Sequence, residues 1–160
     1  MPTYGEKILH LFSENEKKVS ELYSLYANHF PKHKRFWEKI ANEETIHAKI
    51  LQEGKEKLSC KGELVKESMH ANGIIERLTQ FIDLELERAK NEIISLEEAV
   101  ETALRIEQSM IEDKCFHIFR PETEEVGSIF RRLNDDTGNH VERLKKEFEY
   151  LFRQEPFDIS

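Results

Sequence analysis

The chain has 160 residues, 38% hydrophobic and 35% charged, with a net charge of −8, six glycines and four prolines. That length suits one domain over residues 1–160 with a single sizeable core. The charge argues against a nucleic-acid or anionic-membrane surface, and no apolar run approaches the roughly 18 residues of a membrane span. Abundant Leu, Ile, Glu, Lys and Arg favour long helices over strands.

In chain order, the first helix opens near Thr3, where Thr3 and Glu6 fit a capping box, and runs to about Asn28. Its apolar stripe is Ile8, Phe12, Val19, Tyr23 and Tyr26. Pro31 suits a first helical position, and the second helix continues to about Gln52 and stops at Gly54. Residues 54–73 hold three of the six glycines and read as the start of a long crossover. "IIERLTQFIDLELERAK" gives a shorter helix inside it. Ser95 and Glu98 form a second capping box and open a third long helix ending near Phe119; Pro121 precedes a fourth that runs to about Phe152. Two helical hairpins joined by a crossover predict an all-α four-helix bundle. The halves are weakly alike: Glu16 and His47 flank Pro31 much as Glu107 and His140 flank Pro121.

Polar residues interrupt the apolar faces. In "IANEETIHAKIL", whose apolar members are Ile40, Ile46, Ile50 and Leu51, Glu44 and His47 share the face of Ile40 and Leu51. Glu16 falls between Phe12 and Val19, Glu107 between Leu104 and Ile111, and His140 between Leu133 and Leu144. Burying one unpaired carboxylate costs several kcal/mol, so three demand compensation. Cations supply it, since Glu and His three residues apart put both ligand atoms on one side of a helix. Such ligands suit iron, manganese or zinc. Cys60 and Cys115 form no CxxC pair, which excludes a rubredoxin-type site and makes a reducing cytoplasm the expected compartment. His10, His29, His33, His70 and His117 lack a partner at ligand spacing. Tyr23, Tyr26, Phe36 and Trp37 read as core.

"ILHLFSENEKKVSELYSLYA", "FWEKIANEETIHAKIL" and "SLEEAVETALRIEQSMIE" resemble the rubrerythrin-type members of the ferritin-like superfamily. The likeness covers nearly the whole chain and rests on Glu16, Glu44, His47, Glu107 and His140. It implies a ferritin-like bundle with two iron ions at its centre, manganese or zinc being alternatives, used as an oxidoreductase toward peroxide or oxygen. Electrons would come from a separate donor. In that scheme Glu44 bridges, Glu16 and Glu107 are terminal ligands, and His47 and His140 each cap one metal. The competing expectation is a non-enzymatic metal-binding or scaffold bundle, monomeric or a homodimer, with an incomplete site.

One departure separates the two. The family pattern places a second bridging Glu three residues before His140, where this chain has Thr137. Asp136 is adjacent, about 100° round an ideal helix. A π-bulge near Gly138 would swing Asp136 into the ligand position, and this is the expectation for a complete site.

Overall fold

A computed structural model describes residues 4–61, 69–112 and 124–152. Five helices, α1 (Tyr4–His29), α2 (Lys34–Lys61), α3 (Met69–Asn91), α4 (Leu96–Glu112) and α5 (Glu124–Glu147), make up nearly all of it, with no strand among the described residues. The described residues form an all-α structure, as the composition predicts. No helix among the described residues is long and apolar enough to cross a membrane.

The start and stop signals are obeyed unevenly. Ser95 and Glu98 cap α4 reciprocally, Ser95 N donating to Glu98 Oε2 and Glu98 N to Ser95 Oγ, both at 3.1 Å. Pro31 opens a single 3-10 turn, Pro31–His33, that leads directly into α2. Gly54 does not stop α2, which runs on to Lys61. It is buried there, and a Cβ on it would meet Ile129 Cδ1 of α5 at 3.4 Å. The glycine marks close approach of two helices. Thr3, Pro121 and Phe119 lie outside the described residues.

Side-chain pairings give the helix directions. Ser13 Oγ donates to Ala48 O (3.0 Å) and Ser20 Oγ to Ala41 O (2.8 Å), so α1 and α2 run antiparallel. Both pairs repeat at seven residues, and the small Ala and Ser side chains let the two backbones come close. Thr79 Oγ1 reaches Asn15 Oδ1 at 2.9 Å and His29 Nε2 reaches Ala89 O at 2.7 Å, so α3 runs parallel to α1. His47 meets Asp136 and Glu43 meets Arg143, making α2 and α5 antiparallel. The helices touch in a closed circuit, α1–α2–α5–α4–α3 and back to α1, with the α1–α2 interface the most extensive.

The helix predicted as a short piece within the crossover is thus a 23-residue element. It puts Ile75, Leu78, Ile82, Leu86 and Ala89 into the same core as the other four helices. Fully burying one Ile or Leu contributes roughly 1.5–3 kcal/mol, so α3 is as much a wall of the core as a connection. All five stripe residues predicted for α1 are buried. Trp37 is fully buried among Tyr23, Tyr26 and Phe148, with ring centroids 5.0–5.6 Å away. Ile46, read as apolar and inward, is 47% exposed.

Candidate metal centre

Five ionisable side chains from four helices meet inside the bundle. Glu16 (α1), Glu44 and His47 (α2), Glu107 (α4) and His140 (α5) are each at most 2% exposed. The α1–α2 register positions the first pair: Glu16 lies between Ser13 and Ser20, and Glu44 between Ala41 and Ala48, so the serine bonds bracket both carboxylates. Glu14 and Glu21, the other acids on that stretch of α1, instead pair with Lys17 and Lys90 at its surface.

The ligand atoms form two triads that share one residue. Glu16, Glu44 and His47 offer three atoms within 4.8 Å of one another, and so do Glu44, Glu107 and His140. His47 Nδ1 stands 3.2 Å from Glu44 Oε2 and 4.0 Å from Glu16 Oε2. His140 Nδ1 stands 2.7 Å from Glu44 Oε1 and 3.5 Å from Glu107 Oε1. The two imidazoles are near-parallel, with centroids 5.4 Å apart.

Burial sets the protonation of this cluster. It pushes Glu16 well above the ordinary carboxylate range, with the Glu44 and Glu107 carboxylates adding to the effect. Burial and then Glu44 lift Glu107 to about 7, against the pull of His140 and Tyr23. Burial would raise Glu44 as well, but Glu16, His140 and His47 around it prevail and hold it well below its usual range. Burial disfavours charge on His140, yet Glu107 and Glu44 raise it to about 10. His47 is also raised against its burial, mainly by Glu44. Glu44 is therefore held toward its charged form and both imidazoles are drawn toward theirs, while Glu16 and Glu107 favour their protons.

With its carboxylates ionised, the cluster does not satisfy its own atoms. Both oxygens of Glu16, Glu44 Oε1 and both nitrogens of His140 are buried without a hydrogen-bond partner. The 2.7 Å approach of His140 to Glu44 is too oblique for a hydrogen bond. Buried polar atoms are normally paired, and unpaired ones cost about 1–3 kcal/mol each. Orphaned carboxylate oxygens and imidazole nitrogens converging on one point are the donor set of a divalent first-row cation. The residues present fit such an ion, and the buried Glu/His groups could hold a metal.

Three further side chains, Tyr23, Asp136 and Glu43, approach these residues. Tyr23 Oη donates to Glu107 Oε1 at 2.8 Å, so a residue predicted as plain core also fixes a carboxylate. Asp136 Oδ2 lies 3.1 Å from His47 Nε2. Glu43 Oε2 lies 3.8 Å from His140 Nε2, and its carboxylate is clamped by Arg143 at 2.8 Å through both oxygens. Each histidine thus turns Nδ1 inward and Nε2 toward an acid on the facing helix, the outer contact that orients metal-binding imidazoles.

The expected bulge is absent. Helix α5 is uninterrupted α-helix from Glu124 to Glu147, so Asp136 keeps its ordinary angle and its side chain is 35% exposed. It meets the outer nitrogen of His47 and not the carboxylate cluster. Thr137 holds the inward position, 1% exposed, and its hydroxyl donates to Leu133 O of its own helix at 2.7 Å. The remaining histidines lie elsewhere: His10 is exposed, His29 binds Ala89 O, and His33 meets Tyr150 Oη at 3.1 Å. The side chains of Cys60, His70, Cys115 and His117 fall outside the description. No family model, curated protein or solved structure matches this chain in comparison.

Proposed function

We propose that this chain is a ferritin-like, rubrerythrin-type metalloprotein of the cytoplasm. It would hold two first-row ions, iron foremost, and act as an oxidoreductase on peroxide or oxygen with electrons from a separate donor. The observation that carries the reading is the pair of buried triads sharing Glu44, with both oxygens of Glu16, one of Glu44 and both nitrogens of His140 left unpartnered. Glu44 would bridge, Glu16 and His47 would hold one ion, and Glu107 and His140 the other. Bound iron would supply the electron transfer that reduces peroxide.

The chain's own residues supply the rest. Burial of all five ligands keeps bulk water from the carboxylates and strengthens their pull on a cation. Tyr23 holds its phenolic proton toward Glu107, limiting that carboxylate to a narrow range of orientations. Asp136 would accept from His47 Nε2–H, the tautomer that leaves Nδ1 to a metal. A second reading, a non-enzymatic metal-binding or scaffold bundle, is favoured by Thr137, which leaves one anion fewer than two Glu-x-x-His helices would provide.

Anaerobic loading with ferrous iron, followed by stopped-flow addition of peroxide, separates them. The oxidoreductase reading expects bound iron to be oxidised stoichiometrically and peroxide to turn over when a reductant is supplied. Metal that binds but stays unreactive supports the scaffold reading.

A further inference from the structure

Opposite Glu44 the centre is one carboxylate short, and the shortage has a definite shape. The segment Asn42–His47 and the segment Asp135–His140 correspond residue by residue, Glu43 matching Asp136, Glu44 matching Thr137, and His47 matching His140. The geometry follows this exchange in outline. The two histidines face each other, and each outer acid lies nearest the histidine of the other helix, Asp136 at 3.1 Å and Glu43 at 3.8 Å. At Thr137 one side lacks the carboxylate that the other has. That residue is buried, ends at its γ atoms, and directs its hydroxyl to Leu133 O, so it gives the centre neither charge nor a donor.

Charge makes the gap consequential. Glu16, Glu44 and Glu107 fall one negative charge short of two divalent cations held with neutral imidazoles. The ligand set is at most 2% exposed, so solvent does not screen the surplus.

We propose that an exogenous monoanion with an O–C–O group, bicarbonate or a short carboxylate, would bind with the second metal on the Thr137 side of the centre, opposite Glu44. Such an ion reproduces the two oxygens of the absent side chain and brings the centre to neutrality. The inference rests on the metal-centre reading and gives it a dependence on a second ligand: the second metal and the anion bind together.

The test is calorimetric titration of the metal-free full-length chain with Mn²⁺ in carbon-dioxide-free chloride buffer at fixed ionic strength. It is run alone, with acetate, and with bicarbonate. In wild type the second Mn²⁺ should bind about 10-fold tighter or better with an O–C–O anion present, the first changing far less. Thr137→Val keeps the gap and should keep the response, whereas Thr137→Glu should bind the second Mn²⁺ tightly without any anion and lose the response. Bicarbonate acting alone identifies the inorganic ion as the ligand; equal action by acetate identifies short carboxylates as a class. A second Mn²⁺ indifferent to anions, or an undiminished response in folded Thr137→Glu, overturns the inference and leaves the metal centre standing. Should Thr137→Glu fail to fold, wild type and Thr137→Val still decide by their difference between acetate and chloride. Binding of no metal in any arm overturns both.

Discussion

The His47 and His140 halves of the centre use the same residue types but fix different members. In the first, His47 is held at both nitrogens, by Glu44 at 3.2 Å and Asp136 at 3.1 Å, while both oxygens of Glu16 lack partners. In the second the situation reverses. Glu107 is fixed by Tyr23 at 2.8 Å, while neither nitrogen of His140 makes a hydrogen bond and its outer acid, 3.8 Å away, is taken up by Arg143. Each half keeps one ligand in place and leaves the other without a partner. A cation would complete both, and the half with the better-held imidazole should bind it more tightly, since outer partners to ligating histidines are worth about 10–100-fold in affinity.

The largest effect should come from the residue the halves share. Glu44→Gln removes the one anion common to both triads and should abolish binding at both, a loss well beyond about 100-fold, read as metal per chain after loading. Retention of a full complement would show that the halves are independent.

Removing metal should come next. In the metal-free protein Glu107 titrates near 7 against 4.5 for an ordinary Glu, so the folded state keeps a proton that the unfolded chain releases across that window. This contribution to stability is present below about 4.5 and is lost as pH rises through 7. His140 acts in the same direction, its contribution being complete below 6.5 and lost as pH rises toward 10. Glu44 has the opposite sign and loses its contribution only in acid, below 4.5. Metal replaces those protons, so chelation should lower Tm by about 5–10 °C at pH 8 when the metal stands at about a hundred times its Kd. At pH 5.5 the difference should shrink toward zero, because protons compete for the same atoms. A pH-independent difference in a thermal scan would contradict this protonation scheme.

The outer acids sharpen the comparison. Asp136→Asn should weaken binding in the His47 half about 10-fold, while Glu43→Gln should weaken the His140 half by less, because its contact is longer and shared with Arg143. Stepwise metal titration of both variants reads the order directly, and the reverse order would break it. Tyr23→Phe should be mildest. Losing one hydrogen bond costs about 0.5–1 kcal/mol, seen as about two- to five-fold weaker binding in the Glu107 half and none in the other.

Much of this centre was legible in the chain because helical spacing is a strong constraint. A charged residue three or four positions from apolar neighbours on both sides must face inward, and that argument located Glu16, Glu44, His47, Glu107 and His140 correctly on the buried faces. What spacing along one helix cannot supply is the partner on another. Asp136 toward His47, Tyr23 toward Glu107 and the Ser13–Ala48 and Ser20–Ala41 contacts all depend on interhelical register. The heptad spacing of those serines and alanines was a readable signal for the register. Gly54 misled for a related reason: glycine weakens an isolated helix, but here packing against Ile129 outweighs its propensity and α2 continues. The length of α3 was underestimated because its glycine-bearing start read as a crossover loop.

The central claim is that the converging carboxylates and imidazoles hold metal, and metal content tests it most directly. Full-length protein should be stripped with chelator, loaded anaerobically with ferrous iron, freed of excess by gel filtration and assayed for iron per chain beside Glu44→Gln. This account predicts between one and two irons per wild-type chain and close to none in the variant. Wild type that emerges without iron, and likewise without manganese or zinc, would contradict it.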